Sequence, residues 1–563
     1  MPCGLGLTVS LRVTWQLDSC SNAGRLFLEF DDGGRLADEF VGDGVTLVMR
    51  PDVDFRSVHG VSKAYAVEGQ WDGAVRAFGD GFDFMPGDEA GLHIRMTGGA
   101  FHRNTEWIYS VPIPIDQERG LEDCMDIFSP GYFEYVFKSR GVVCMEASVG
   151  SDVQPAVQKM RPVKYGPLGL GDSLLNGMNH FIVRRDDHKT ILAGFPWFLD
   201  WGRDTLICLR GYIAAGLCDV AKEIFCLFAQ FEKDGTLPNM IRGTDTSDRD
   251  TSDAPLWLYV VVEDYIAATG NAEVLKVDCG GRRLGEILEK LAFSLWNGAA
   301  NGVRADKETA LLYSPPHFTW MDTNYPAGTP REGYPVEIQA LWIHATEFLA
   351  KHSGSKDWES VNFRARKSFV RYFKRPDGKG LSDCLHCAGF ASARQAVPDD
   401  ACRPNQLLAV TLGTLEDVGL AESVLEACSP LLTPAGIRSL DDAPVNCPLP
   451  VIDNGNALND PLKPYWGHYS GYEDTRRKPA YHNGTSWGWQ MPLWCEADFM
   501  LHGENRRHDD MALISSSAKI MEHGCLGYLP EIFDGNAPHL PKGCLAQAWS
   551  MTEFYRVMKL LQP

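Results

Sequence analysis

The chain has 563 residues, 44% of them hydrophobic and 23% charged. That is ordinary globular composition, and it excludes a disordered chain, a collagen-like chain and a small disulfide scaffold. With 53 Lys+Arg against 74 Asp+Glu, the formal net charge is −21. This disfavours nucleic acid, whose affinity comes largely from phosphate neutralisation, and an anionic membrane surface; a neutral polar substrate fits better.

Residues 1–160 read as β structure. Short apolar and aromatic runs recur at Leu26–Phe30, Val45–Met49 and Tyr132–Phe137. Gly, Asp and Pro clusters such as Asp31–Gly34 and Phe78–Gly81 separate them. Strands at that spacing predict an antiparallel β-sandwich. The stretch around 151–175, with Pro155, Pro162, Pro167 and Gly169, reads as a linker. The predicted division is a β-sandwich over 1–160, a linker over 161–180 and a helical domain over 181–563.

Beyond the linker the apolar period becomes helical. Helices are predicted at Thr205–Ala215, Ala221–Phe231, Leu256–Ala268, Val336–Ala350, Asn405–Leu415, Gly488–Leu501 and Gln547–Leu561. Long loops rich in Gly, Pro, Trp and acidic residues lie between them, at 195–204, 234–255, 314–335, 441–486 and 527–546. Long loops in a compact domain are usually functional. Helix hairpins that gather such loops at one end suit an α/α toroid, so the predicted fold is mainly α.

No phosphate-binding loop, H-E-x-x-H or dinucleotide fingerprint occurs. One G-x-S-x-G does, at Gly484–Gly488. A nucleophile elbow needs a strand running into the turn, and Lys478–Asn483 is a poor one. The 16 Cys are scattered; Cys384 and Cys387 form a single C-x-x-C around His386. Without a second matched pair this predicts no metal. The N-terminal Met-Pro-Cys-Gly-Leu-Gly-Leu lacks a basic region leading into an apolar run, and no window holds ~18 uninterrupted apolar residues. The prediction is a soluble, cytoplasmic chain.

The loops carry carboxylates and tryptophans instead, a pairing that points to glycoside chemistry. Cleaving a glycosidic bond needs one carboxylic acid for the leaving oxygen and a second carboxylate to activate water or attack the sugar. Asp204 and Asp253 each precede a predicted helix, where an N-cap is the plain reading. Arg203 and Asp204, beside Trp197 and Trp201, also suit a grip on sugar hydroxyls. Glu337 opens an apolar helix, where a partly buried acid needs partners. Glu531 sits among Leu529, Ile532 and Phe533, a flank too apolar for a solvated face. Spacing alone does not rank Asp253 over Asp204 or Asp322.

Together these segments resemble the amylo-α-1,6-glucosidase part of glycogen debranching enzymes, in its prokaryotic form. The matching stretches are Trp201–Thr205, Leu237–Asn239, Asp253–Trp257, Trp320–Asp322, Pro330–Arg331, Pro335–Glu337, Ala340–Trp342 and Arg403–Gln406, followed by Tyr481–Trp487, Glu531–Ile532 and Gln547–Ser550. Arg50–Arg56 and Phe128–Tyr132 resemble the family's N-terminal β domain. The resemblance implies an (α/α)6 barrel and an inverting, exo-acting glucosidase that needs no cofactor. Its partner would be a branched α-glucan or malto-oligosaccharide. It implies Asp253 as general acid and Glu531 as general base. Arg203 and Asp204 would bind the terminal glucose. Trp201, Trp320, Asp322, Glu337, His482, Trp487, Gln547 and Trp549 would line the pocket. The alternatives are a glucoamylase- or trehalase-like α-glucosidase and a non-catalytic glucan-binding protein.

Overall fold

Alternating apolar residues build the N-terminal sheets. In the computed structural model, which describes residues 10–18, 23–31, 45–56, 60–87, 91–138, 141–150, 169–323 and 329–563, the chain divides into two units, Met1–Pro167 and Leu168–Pro563.

The first unit carries β1 (Ser10–Asp18), β2 (Ala23–Asp31), β3 (Val45–Met49), helix α1 (Ala64–Gly73), β4 (Val75–Phe78), β5 (Gly81–Phe84), β6 (Gly91–Met96), β7 (Ala100–Pro112), β8 (Cys124–Phe137) and β9 (Gly141–Gly150). They form one antiparallel sheet in the order β1-β2-β9-β6-β5-β4 and another in the order β3-β8-β7. The three strands expected at 26–30, 45–49 and 132–137 fall within β2, β3 and β8. Leu28, Phe82, Phe84 and Met96 of the first sheet share one core with Phe101, Phe128, Phe133 and Phe137 of the second. Trp71 of α1 joins them, its ring edge-on to Phe84 at 5.3 Å and to Phe128 at 6.0 Å. Each such ring, fully buried, contributes about 1.5–3 kcal/mol. The two sheets hold together through this apolar layer.

The expected linker at 161–180 lies partly outside the described residues. Within it, Leu170–Asn179 is helical (α2) and belongs to the second unit. Its apolar residues Leu174 and Met178, one helical turn apart, are fully buried, which is why the stretch folds as a helix rather than as a tether.

The second unit continues with α3 (Gly202–Ala214), α4 (Cys218–Gln230), α5 (Ala254–Thr269), α6 (Leu284–Asn297), α7 (Val336–Ser353), α8 (Lys356–Phe373), α9 (Leu407–Thr411), α10 (Val418–Cys428), α11 (Met491–His502), α12 (Arg507–Ser515) and α13 (Ala548–Leu561). Two kinds of helix alternate along the chain. In α8 the buried residues Val361, Ala365, Phe369 and Phe373 recur every four positions, the single stripe of a surface helix. In α3 every residue from Gly202 to Ile213 is buried, as a helix surrounded on all sides must be.

The buried helices are mutual neighbours in sequence. α3 packs on α5, α5 on α7, α7 on α9, α9 on α11, α11 on α13, and α13 returns to α3. Among the described residues these six form a closed cycle. The striped helices cover its outside: α4 leans on α3 and α5, α8 on α7, α10 on α9 and α11, and α12 on α11 and α13. The helix expected over Asn405–Leu415 is shorter than its apolar pattern suggested. A 3-10 turn at Pro404–Gln406 precedes α9, and Gly413, at φ +65°, ends it. No described helix is long and apolar enough to cross a membrane.

Within the ring, Arg556 of α13 ties α11 to its own helix. It donates to both oxygens of Glu496, at 2.7 and 2.6 Å, and to Glu553 at 2.7 Å. Burial opposes the charge of Glu496, but Arg556 outweighs it and lowers its pKa. Removing one partner of a buried ion pair costs about 3–5 kcal/mol. Arg556→Met is therefore expected to lower the thermal unfolding midpoint sharply, and Glu496→Gln added to it should recover part of the loss. Calorimetry on both variants checks this.

Candidate active site

Every buried helix of the ring begins at the same end. Arg203 and Asp204 lie in the first turn of α3, and Asp253 occupies the N-cap position of α5. Glu337 opens α7. Asn405, Gln490 and Gln547 directly precede or adjoin the starts of α9, α11 and α13. Helix N-termini carry partial positive charge and stabilise carboxylates placed near them. Short strand pairs fix the loops between. Asp200–Trp201 pairs with Met240–Ile241, Gly194–Phe195 with Ala546–Gln547, and Ser486–Trp487 with Ile532–Phe533.

These elements enclose a cavity of about 120 Å³, lined by Phe198, Trp201, Arg203, Asp204, Trp320, Asp322, Tyr481, Trp487, Glu531 and Trp549. A larger cleft, about 460 Å³ around Arg375 and Asp400, is lined by no aromatic ring. Chemistry rather than size singles out the smaller one.

Arg203 is the cation at its centre. Its guanidinium lies 3.5 Å from Asp204, 3.6 Å from Asp253 and 3.4 Å from Asp322. Burial works against its charge, but the three carboxyls outweigh burial and raise its pKa. For Asp204, burial dominates and pushes the carboxyl up to about 7. Arg203 pulls it back, while Asp322, Glu531 and Asp253 push it further up. Asp322 is likewise raised by burial first, then lowered by Arg203 and raised by Asp253.

The plain N-cap readings of Asp204 and Asp253 do not hold. The N-cap of α3 is Trp201, so Asp204 lies inside the helix. Asp253 holds the N-cap position of α5 but makes no capping hydrogen bond. Its Oδ1 accepts instead from Thr251 Oγ1 at 2.7 Å, and its Oδ2 has no hydrogen-bond partner. Other buried polar atoms nearby also lack partners: Asp204 Oδ2, Arg203 Nε, Gln547 Oε1 and Trp549 Nε1.

Glu531 is held from two sides. The Tyr481 hydroxyl donates to Oε1, and the Cys544 N–H donates to Oε2 at 2.9 Å. Burial, and then the charge of Glu531, raises the Tyr481 pKa well above its usual value, so this phenol keeps its proton and donates. Gly543, next to Cys544, has φ +66°, and a Cβ there would stand 2.3 Å from Glu531 Oε2. Only glycine fits.

The tryptophans interlock. Trp320 meets Trp487 edge-on at 4.9 Å, and Trp487 meets Trp549 at 6.0 Å. His482 stacks on Trp487 at 5.4 Å, and its Nδ1 meets Thr323 Oγ1 at 2.8 Å. Burial, and then nearby arginines, lowers its pKa well below the usual value, leaving a neutral ring.

Three residues expected to line the pocket do not reach it. Glu337 is clamped by Arg331, whose Nη2 donates to Oε2 at 2.6 Å. Arg331 also donates to Asp383 at 2.7 Å, Asp383 accepts from Asn405 at 2.7 Å, and Asn405 accepts from Trp320 Nε1 at 2.8 Å. Glu337 thus braces the wall that Trp320 faces. His482 stands behind Trp320 and Trp487, and Gln547 touches Asp204 at 3.4 Å. Asp253 is absent from the cavity lining as well and joins the site through Arg203. Phe198 and Tyr481 line the cavity although neither was assigned to it from sequence. Tyr481 is adjacent to His482, and Phe198 lies within the first aromatic loop. Ser486, in the G-x-S-x-G segment, is fully buried and hydrogen-bonds Thr433, so it offers no exposed nucleophile.

Residues 176–556 match the family model described as amylo-alpha-1,6-glucosidase. The chain belongs to this amylo-alpha-1,6-glucosidase family. Residues 36–143 match a second model, the glycogen debranching enzyme N terminal, so the protein is of glycogen debranching type. It is 22% identical over 417 residues to the glycogen debranching enzyme of Saccharomyces cerevisiae, a match spanning 57% of this chain and 26% of the yeast protein. The chain thus covers about a quarter of that relative's length. A bacterial glucoamylase solved with acarbose shares the fold: TM-score 0.54, 12% identity, 98% of this chain and 81% of that one. A glycosidase variant solved with glucose gives a TM-score of 0.46 at 14% identity, covering 70% of this chain and 98% of that one. This amylo-alpha-1,6-glucosidase family member is accordingly a glycoside hydrolase with a glucoamylase-like fold.

The raised Asp204 pKa has a stability consequence. Between its unfolded value near ~3.9 and about 7, the folded state binds more protons than the unfolded one, so stability falls as pH rises through that window. Asp204→Asn removes this penalty. It is expected to raise the thermal midpoint relative to the parent protein at pH 8 and much less at pH 4.5, as scanning calorimetry at the two pH values will show.

Proposed function

We propose that the protein removes single glucose units from α-1,6 branch points of glycogen-like glucans or oligosaccharides by an inverting acid/base mechanism. The catalytic unit is read as an (α/α)6 barrel, supported by the closed cycle of α3, α5, α7, α9, α11 and α13, and the first unit as a β-sandwich, supported by its two sheets around one core. A cytoplasmic setting suits a polymer stored in the cell.

The observation that carries this reading is the gathering of Glu531, Asp204 and Arg203 at one tryptophan-walled cavity, with Asp253 tied to it through Arg203. Asp253 protonates the leaving oxygen. Its Oδ2, which accepts no hydrogen bond, is the oxygen that faces Arg203. Glu531, oriented by Tyr481 and Cys544, takes a proton from the attacking water. Arg203 and Asp204 hold the hydroxyls of the terminal glucose. Asp322 supplies a further acceptor, and Trp320, Trp487 and Trp549 face the C–H side of the sugar. The cluster of unpartnered buried polar atoms suits a ligand dense in hydroxyls. Trp201 closes the rim, while Glu337, His482 and Gln547 brace the walls. This chemistry requires neither metal nor organic cofactor.

A second reading, an enzyme that prefers α-1,4 linkages, is favoured by the glucoamylase-like fold. Parallel assays on isomaltosyl, maltosyl and trehalose substrates separate the two. The principal test is incubation with a phosphorylase limit dextrin, following free glucose and its anomer. Immediate β-glucose is expected; α-glucose would mean retention, and no glucose would point to a glucan-binding protein. Asp253→Asn and Glu531→Gln should each lower kcat by at least ~10²-fold with unchanged circular dichroism. Near-normal turnover in either variant removes that residue from its role. Gly543→Ala should lower kcat as well, because the new methyl group displaces the Glu531 carboxylate.

A further inference from the structure

The cavity has a sealed end and an open end. Trp320, Trp487 and Trp549 are 3%, 1% and 3% exposed, whereas Phe198, Trp201 and Tyr481 are only half-buried. The half-buried rings mark the side from which the cavity is reached. A glucose held by Arg203 and Asp204 therefore directs the rest of the glucan past them.

Phe198 is fixed rather than draped there. Its N–H donates to Gly194 O at 3.0 Å, and the Ala193 N–H donates to Leu199 O at 2.9 Å, closing a tight loop. That loop is tied to the start of α13: Gly194–Phe195 pairs with Ala546–Gln547, and the Ala548 N–H donates to Ala193 O at 2.9 Å. At Gly194 a Cβ would stand 2.4 Å from Gln547 Oε1, so the two segments meet backbone to side chain with no room between. Among the described residues, the Phe198 ring stacks on no other ring, unlike the tryptophans behind it. An apolar ring held rigidly at a cavity mouth costs little entropy to use and matches the C–H face of a pyranose.

We propose that Phe198 is a specificity-determining residue that stacks against the second sugar, the one on the leaving-group side of the scissile bond. The inference rests on the reading of the cavity as a glucosidase site. It makes the site discriminate a disaccharide end from free glucose, which sheds the product while retaining the substrate.

The test uses titration calorimetry on Asp253→Asn, chosen to stop turnover, with and without Phe198→Ala. The ligands are isomaltose and the single-ring mimic 1-deoxynojirimycin. Loss of the ring should weaken isomaltose binding by about 10-fold, the size of one good aromatic contact, and shift the single-ring ligand by less than about 2-fold. Phe198→Trp should restore isomaltose affinity. In otherwise unaltered enzyme, Phe198→Ala should raise KM for isomaltose more than it lowers kcat. Equal weakening of both ligands, or no weakening of isomaltose, overturns the inference. Failure of the glucosidase reading looks different: the unaltered protein releases no glucose from any α-glucan, while the ring-dependent binding can still be read.

Discussion

The site exists because the first buried helix of the ring packs against the last. α3 brings Arg203 and Asp204; the segment before α13 brings Glu531 and Gln547, and α13 itself brings Trp549. Asp204 and Gln547 touch although 343 residues separate them in the chain. Every helix between must take its place in the cycle for these two ends to meet, so an error in any one would open the cavity.

The second constraint is charge. One guanidinium stands among three aspartates, with Glu531 close enough to raise Asp204; Arg203, Asp204 and Asp253 are buried from screening water, while Asp322 stays partly exposed. Such an arrangement is costly for folding and useful for chemistry, since groups forced to share protons are the ones ready to move them. The six helix N-termini aimed at this end offset part of the cost. A separate network, Arg331 with Glu337 and Asp383, keeps the surrounding wall rigid by pairing its buried charges completely, with Arg403 3.6 Å from Asp383 on the far side.

Much of this was legible in the sequence where the signal was local. The periodicity at Val336–Ala350 and Gln547–Leu561 marked helices, and the loops crowded with tryptophan and acid marked the site. What escaped was non-local. Nothing near Glu337 reveals that Asp383, 52 positions from Arg331, completes the clamp, because Asp383 arrives through the pairing of Gly333–Pro335 with Cys384–His386. The N-cap pattern at Asp253 was genuine by position, yet Thr251 captures the side chain before it can cap. The apolar run after Asn405 looked like three turns of helix, and Gly413 cut it short. Tyr481 stands beside His482 in the sequence, but its role depends on Glu531, fifty positions on.

A ring closed by its last helix also has a history in time. As the chain is synthesised, Arg203 and Asp204 emerge early, with their neighbours Trp549 and Gln547 still hundreds of residues away. Until α13 arrives, the tryptophan walls are incomplete and the carboxyls around Arg203 remain wetted, free of the mutual pressure that lifts Asp204. The geometry of this site is therefore complete only once α13 has joined the ring, and before that Arg203 and its carboxyls lack the walls that desolvate them.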